Sequence, residues 1–247
     1  MNISLKLDQL HFRARKNRWL RYFTIFCRVT LAAGFIPSGM QKVLGERFTA
    51  LAINHPMGNF LEAFHHTGYY YPFVGFMQVL AAILLLIPRT VTLGAFIYLP
   101  IILNICILSL AVRFDGSQVT SPLMLCAVLY LLCWDYHKFK NIFPFNHSVA
   151  KSKLPKKNEQ SNKFPFTFFT GVLAVILIVL SHARVLYKIM PRNTIGDCRT
   201  QCDGDNDPGC VNFCDCIHKE GKSLEKCLNE YNNSLREELI HYENSMK

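Results

Sequence analysis

The stretch at residues 90–112 reads TVTLGAFIYLPIILNICILSLAV and contains no Lys, Arg, Asp or Glu. An α-helix rises 1.5 Å per residue, so about 20 residues cross a hydrocarbon core roughly 30 Å thick. The backbone of such a segment has to be helical, because no water is present to satisfy its N–H and C=O groups. This stretch therefore predicts a transmembrane helix.

Four further stretches predict additional spans. Residues 68–88, 116–134 and 164–183 also lack charged side chains. Residues 22–43 come first and carry Arg28 and Lys42 near their ends, from which long basic side chains reach the interface. A cleaved signal peptide explains this first stretch less well, because its basic region is long and no small-residue cleavage site follows. The prediction is five transmembrane helices in contact with a lipid bilayer.

The charge distribution predicts an orientation. The net charge is +10, but seven Lys/Arg against one acid lie in residues 1–28 and seven against two in residues 135–163. Basic clusters beside apolar spans mark the cytoplasmic side, whereas nucleic-acid binding would need a basic stripe on a folded surface. We therefore predict no nucleic-acid partner, a cytoplasmic N-terminus, and residues 44–67 and 190–247 on the outer side.

The ten cysteines divide into two groups. Four lie in or near apolar spans and are predicted to be small buried apolar residues: Cys27, Cys106, Cys126 and Cys133. A dense, even-numbered set in a small segment on the oxidising side indicates a disulfide framework. The six cysteines of that set are Cys198, Cys202, Cys210, Cys214, Cys216 and Cys227.

The spacing of the tail cysteines suggests one disulfide pairing. The pairs 198/202 and 210/214 each lie four residues apart, on one face of a helix, and a turn-forming run at 203–209 separates them. Two short helices folded back on each other would join Cys198 to Cys214 and Cys202 to Cys210, leaving Cys216 with Cys227. Six cysteines allow fifteen connectivities, and spacing alone does not choose among them.

Three other interpretations of the tail fit less well. Zinc would need thiolates, but paired C-x-x-C motifs are missing and His218 is the only imidazole nearby. Asp203, Asp205 and Asp207 alternate as in calcium loops, yet Pro208 stands where an EF-hand requires Gly. A redox-active dithiol also lacks its C-x-x-C motif. We therefore predict no metal site in the tail.

An amphipathic helix follows the cysteines. Apolar residues recur there at spacings of three and four, which predicts one helix with an apolar stripe. This stripe either packs on the rest of the tail or docks on a partner subunit, and the sequence favours neither. Its residues are Leu224, Leu228, Tyr231, Leu235, Leu239 and Tyr242.

Polar residues inside the spans are few. Such residues at membrane depth are costly, and they either serve function or tie helices together. For Gln78 and Asn104 the structural role, a hydrogen bond that holds two helices together, is favoured. Lys42 is predicted to lie near the outer interface of the membrane. The polar residues of the predicted spans, in addition to Arg28, are Ser38, Gln41, Lys42, Gln78 and Asn104.

The first predicted helix has Arg28 at its start and Ser38-Gly39-Met-Gln-Lys42 at its end. Further along the chain are Gly75-Phe-Met-Gln78, Pro88-Arg89-Thr90 with Gly94, and Trp134-Asp135-Tyr136. This set of motifs resembles the DoxX-like family of small membrane proteins. The resemblance covers about residues 20–140 and implies a four-helix membrane bundle. Members are associated with quinone-linked oxidation of sulfur compounds, thiol-redox protection complexes and, among distant relatives, maturation of partner proteins.

The resemblance implies candidate site residues as well. A quinone would contact Lys42, Gln78 and the outer pair His65 and His66. The sequence departs from the family in having Gln78 where relatives often place an acid, and in adding a fifth helix and the cysteine tail. The charged pair of a general acid–base site is missing, so no catalytic residue is predicted.

These observations predict an all-α membrane protein with five segments. They are a basic cytoplasmic segment (1–21), a DoxX-like four-helix bundle (22–140), a basic cytoplasmic linker (141–163), a fifth transmembrane helix (164–189) and a disulfide-stapled helical tail outside (190–247). The expected function is that of an accessory or maturation subunit in a bacterial inner membrane, engaging an extracytoplasmic partner through the tail. The alternative is a subunit of a quinone-linked oxidoreductase for thiol or sulfur compounds; a transporter is disfavoured, because no two related halves with broken helices are visible.

Overall fold

The computed structural model describes residues 3–49, 51–139, 161–185, 187–203 and 207–245. Over these residues the protein is helical, and its only β-type pairing is one isolated bridge between Asn17 and Ser161. The helices are α1 (Ile3–Lys16), α2 (Arg18–Val43), α3 (Pro56–His65), α4 (Tyr70–Leu86), α5 (Val91–Ala111), α6 (Ser117–Trp134), α7 (Tyr136–Phe139), α8 (Phe166–Val185), α9 (Ile195–Arg199), α10 (Pro208–His218) and α11 (Leu224–Ser245).

The chain divides into two compact units. The first unit comprises Met1–Met40, Phe76–Leu103 and Pro122–Val179. The second unit comprises Gln41–Gly75, Asn104–Ser121 and Leu180–Lys247, and it contains the cysteine-rich tail. The predicted linker at 141–163 falls mainly outside the described residues.

Among the described residues, four helices are long and apolar enough to cross a membrane, namely α2, α5, α6 and α8. Helix α4 has 17 residues, about 26 Å at 1.5 Å per residue, which is at the lower limit for a span. It follows α3 after a bend of 98°, and the two helices together count as a fifth, broken span. The structure thus supports four of the five predicted spans outright, and the span at 68–88 only when α3 and α4 are counted together.

The segment at 44–67, predicted to lie on the outer side, contains a helix, α3, that the sequence did not predict. Pro56 occupies the first turn, where its missing N–H would have had no helical partner. The Nδ1 atom of His55 accepts a hydrogen bond from the backbone N–H of Met57 at 3.1 Å. This cap allows a ten-residue helix to form in a segment too short to show clear periodicity.

Close contacts between helices build the first unit. The rings of Phe35 on α2 and Tyr98 on α5 are stacked with centroids 3.6 Å apart. The Tyr98 hydroxyl donates to the Leu31 carbonyl at 3.1 Å. A Cβ on Gly94 would lie 2.8 Å from the backbone N of Leu85, so α4 and α5 meet at a distance that only glycine permits.

Helix α8 is apolar all round, yet none of its residues is buried within the chain. Its first turn contacts α2, where the rings of Phe168 and Phe169 lie 5.4 and 5.7 Å from that of Phe23. An apolar helix with no buried face needs an apolar environment from outside the chain. The length and composition of α8 are those of a membrane-spanning helix, for which a lipid bilayer would be that environment.

The four cysteines of the predicted spans do not share one environment. Cys27 and Cys106 are buried as predicted, but Cys126 and Cys133 are exposed. The prediction is wrong for those two because they lie on faces of α6 that the chain does not cover. A thiol is apolar enough to face lipid there.

The tail forms three helices. The Thr194 hydroxyl accepts a hydrogen bond from the N–H of Asp197 and caps α9, and the Asp207 carboxylate caps α10 at the N–H of Cys210. Three disulfides join them: Cys198–Cys214, Cys202–Cys210 and Cys216–Cys227. This is the pairing that the spacing suggested, and the two short helices and the long amphipathic helix lie where they were predicted.

A small apolar core holds the tail together. Phe213, Ile217 and the disulfide sulfurs form it, and Leu228 and Tyr231 of α11 pack against it. Farther along α11, Leu239 is 65% exposed. The apolar stripe of α11 thus covers the tail core in its first half and is open in its second half; the side chain of Tyr242 lies outside what the structure describes.

Candidate functional site

A buried carboxylate lies in the first unit just after α6. Asp135 is 4% exposed and accepts hydrogen bonds from Arg15 (3.0 Å), Thr92 (2.6 Å) and Lys138 (2.6 Å). Burial opposes ionisation of Asp135, but hydrogen bonds from Lys138 and Thr92 and the charges of Lys138 and Arg15 outweigh it and lower the pKa. A carboxylate held ionised by three donors joins helices and is a poor general base.

Arg28, which the sequence marked as a polar residue in a span, caps a helix. Its Nε atom donates to the Leu85 carbonyl at 2.6 Å and its Nη2 atom to the Leu86 carbonyl at 2.5 Å. These carbonyls belong to the last turn of α4, where no intrahelical N–H is available. A guanidinium there also suits the negative end of the helix dipole, so the role of Arg28 is structural.

The other polar residues of the spans have different environments. Gln78 is 1% exposed, and its side-chain oxygen has no hydrogen-bond partner among the described residues. The Ser38 hydroxyl donates to the Phe35 carbonyl of its own helix at 3.4 Å. Gln41 and Asn104 are exposed. The sequence favoured a hydrogen bond from Gln78 to another helix. Among these four residues, Gln78 is the one whose side-chain oxygen is buried without such a bond.

The remaining candidate quinone contacts lie in the second unit. Lys42 is 6% exposed, and its Nζ atom lies 4.2 Å from the centroid of the Phe48 ring. The ring of His65 meets that of Tyr71 edge-on at 5.0 Å. His66 contacts the Glu62 carboxylate at 3.1 Å and is largely exposed. His65 and His66 are adjacent rings, but each has its own partner.

The disulfides decide what the tail sulfurs can do. The Sγ atoms of Cys202, Cys210 and Cys214 all lie within 4.8 Å of one another. Each of the three belongs to a disulfide, and zinc requires free thiolates. Asp207, from the acidic run, caps α10, whereas Asp205 lies outside the described residues. The sulfurs serve here as covalent ties.

A polar joint fixes the tail to the segments beside α3 and α5. The side-chain amide of Asn54 donates to the His218 carbonyl at 3.0 Å, and the His218 Nε2 atom lies 2.6 Å from the Pro191 carbonyl. Arg192 forms an ion pair with Asp115 at 2.8 Å. Nothing in the sequence predicts this joint, because the partners are 27 to 164 positions apart and no periodic pattern links them.

His55 is the buried titratable group of this joint. It is 1% exposed, and its ring centroid lies 6.5 Å from that of Phe114. Burial, and then the neighbouring His218, lower the pKa of His55 to about 4, against a weaker opposing effect of the Arg192 backbone. The imidazole of His55 is therefore neutral near pH 7, and a protonated His55 would be an unpaired charge buried beside His218.

The helices and the tail define a multi-pass α-helical membrane architecture with a disulfide-bonded helical module. The chain is 41% identical over 123 residues to the uncharacterized protein YwoB of Bacillus subtilis (strain 168), which covers 47% of this chain and 79% of that protein. The chain therefore belongs to the same family as YwoB. No protein-family profile and no solved structure matches it, and the DoxX-like resemblance stays a prediction.

Proposed function

We propose that this protein is an accessory or maturation subunit that engages an extracytoplasmic protein partner through its disulfide-bonded tail. The tail suits this role because three disulfides and a small core make it compact. The joint at Asn54 and His218 fixes it to the residues before α3. A fixed module presents a surface at a lower entropic cost of binding than a flexible tail.

The open second half of α11 carries the proposal. Leu239 and Ile240 are 65% and 59% exposed, next to the charged residues Arg236, Glu237 and Glu238. An apolar strip on an otherwise polar helix is the usual form of a helix that docks in a partner's groove. The first half of the same helix already packs on the tail core, so the second half is held in place.

The proposed setting is a bacterial inner membrane with the N-terminus in the cytoplasm. The basic clusters at residues 1–28 and 135–163 support this orientation, because Lys and Arg accumulate on the cytoplasmic side. The same orientation places the tail on the oxidising side, where disulfides persist. The DoxX-like resemblance supports the accessory role.

Site-specific crosslinking tests the accessory role. A photoreactive residue at position 239 of the full-length protein, irradiated in native membranes, is expected to give one dominant crosslinked partner. The variant Leu239→Glu/Ile240→Glu should lose stable recovery of that partner, and Asn233→Glu on the exposed side of α11 should keep it. A diffuse crosslinking pattern, or equal recovery with both variants, contradicts the proposal.

One observation favours the quinone-linked alternative. The buried side-chain oxygen of Gln78 accepts no hydrogen bond from the described residues, and such a group is costly unless a ligand or water satisfies it. A quinol hydroxyl can donate to that oxygen. In this alternative, quinone extracted from the purified protein falls on Gln78→Leu, whereas exposed Gln41→Leu serves as the control; equal quinone in both excludes Gln78 as its site.

A further inference from the structure

A cavity of about 400 Å³ lies in the second unit, beside the first half of α11. Its volume is in the range of small-molecule sites. Its lining includes the basic residues Arg113 and Lys188 and, from α11, the stripe residues Leu228, Tyr231 and Leu235 with the amide side chains of Asn229 and Asn232. One acid, Glu225, lies among the described lining residues, so the lining carries a net positive charge.

The backbone of Arg113 adopts a conformation that normally selects glycine. Its φ is +51°, and the N–H of the next residue, Phe114, closes on the Ser109 carbonyl at 2.9 Å. Arg113 thus ends α5 in the left-handed position, which costs a non-glycine residue about 1–2 kcal/mol. The side chain at this position therefore has a backbone cost that glycine would avoid.

The guanidinium of Arg113 is held rigidly at the cavity wall. Its Nη1 atom donates to the Ile189 carbonyl at 3.1 Å, and its Cζ atom lies 4.4 Å from the centroid of the Tyr187 ring. Among the described residues it forms no ion pair with a carboxylate. A fixed cation with free donor positions is suited to binding an oxyanion.

The two basic residues of the cavity lie just beyond the ends of two apolar helices. Arg113 follows the end of α5 by two residues, and Lys188 follows the end of α8 by three. The two helix ends are adjacent, because the Tyr187 hydroxyl donates to the Leu110 carbonyl at 3.4 Å. The residues just beyond apolar spans meet the polar interface of the bilayer, where the phosphates of phospholipids are located.

We propose that this cavity binds the headgroup of an anionic phospholipid. Arg113 and Lys188 bind the phosphate, and the amides of Asn229 and Asn232 bind the hydroxyls of the headgroup. Leu228 and Leu235 contact the apolar carbons nearest the glycerol. This inference goes beyond the partner-docking role and is independent of it, since the open half of α11 lies outside the cavity lining.

The test uses the full-length protein, taken into mild detergent after reconstitution in vesicles of equal parts phosphatidylglycerol and phosphatidylcholine. Native mass spectrometry should show retained phosphatidylglycerol in preference to phosphatidylcholine. Lys188→Gln, at an exposed position, should lower retention about tenfold, the effect of losing about 1.4 kcal/mol of binding. Lys222→Gln, at a tail lysine paired with Glu220 outside the cavity, should retain the lipid.

Arg113→Gln combined with Lys188→Gln should abolish the preference, with three intact disulfides confirming that the tail has folded. Equal retention of both lipids by the natural sequence overturns the proposal. Full retention by Lys188→Gln overturns it as well. Displacement of the lipid by millimolar inorganic phosphate would show a free-anion site instead of a lipid site.

Discussion

The imidazole of His55 lies with its centroid 5.8 Å from that of His218, so the residue that caps α3 meets the last residue of α10. Two hydrogen bonds lie beside this pair. The Asn54 side-chain amide donates to the His218 carbonyl, and the His218 ring is hydrogen-bonded to the Pro191 carbonyl. The histidine pair is therefore the centre of the joint that positions the disulfide-bonded module.

The joint predicts loss of stability in acid. The pKa of His55 in the folded protein is about 4, below the value of about 6.5 in an unfolded chain, so the unfolded chain binds the proton more readily. The contribution of neutral His55 to the free energy of unfolding is fully present above pH 6.5. It is lost as the pH falls towards 4, by up to about 3 kcal/mol. Thermal unfolding in detergent between pH 7.5 and 4.5 measures this. His55→Asn, which keeps a capping side chain, should flatten the profile, whereas exposed His66→Asn should not; an unchanged profile for His55→Asn refutes the assignment.

Arg28→Gln should destabilise the first unit. The substitution removes a charged donor from the Leu85 and Leu86 carbonyls, and a hydrogen bond to a charged group contributes about 1.5–3 kcal/mol. Arg89→Gln is the matched control, since Arg89 is exposed and lies in the turn between α4 and α5. The midpoint of thermal unfolding in detergent should fall for Arg28→Gln alone, and equal midpoints would mean that the cap contributes nothing.

Gly94→Ala and Gly171→Ala should have different effects on the stability of the protein: the first should be destabilising and the second should not. Both glycines lie inside apolar helices, but a Cβ at position 94 would lie 2.8 Å from a backbone nitrogen of α4, and one at 171 would meet nothing within 4 Å. Alanine favours a helix over glycine by about 1 kcal/mol, so Gly171→Ala should be neutral or stabilising. Gly94→Ala should separate α4 from α5 and lower the unfolding midpoint. A stabilised Gly94→Ala protein would exclude that close approach.

The disulfides predict a specific peptide map. Digestion without reduction should give the three linkages 198–214, 202–210 and 216–227. Removing the buried Cys198–Cys214 bridge by double substitution to Ser should cost about 2–4 kcal/mol. Cys126→Ser, at an exposed free cysteine in α6, should leave the stability of the tail unchanged. Any other linkage in the natural protein contradicts the fold of the tail.

Patterns within one helix were predictable from the sequence, and contacts between distant residues were not. The period of α11 and the spacing of the cysteines predicted the helices of the tail and suggested its disulfide pairing without excluding the others, since each depends on neighbours within about 20 residues. The helix α3 was missed because its cap, His55, and its Pro56 are local signals too brief to outweigh a loop interpretation. Cys126 was misplaced because an apolar residue in a membrane helix can face either lipid or protein.

The sequence by itself determined which long apolar segments are helical, because hydrocarbon accepts a backbone only when its own hydrogen bonds are closed. It also determined the disulfide-rich character of the tail, through six cysteines within 30 residues. Only the tertiary structure decided which side of each helix is covered, that Arg28 caps α4, and that His55 meets His218. These depend on packing between residues far apart in the chain, whose side-chain types are compatible with many partners until the helices are in place.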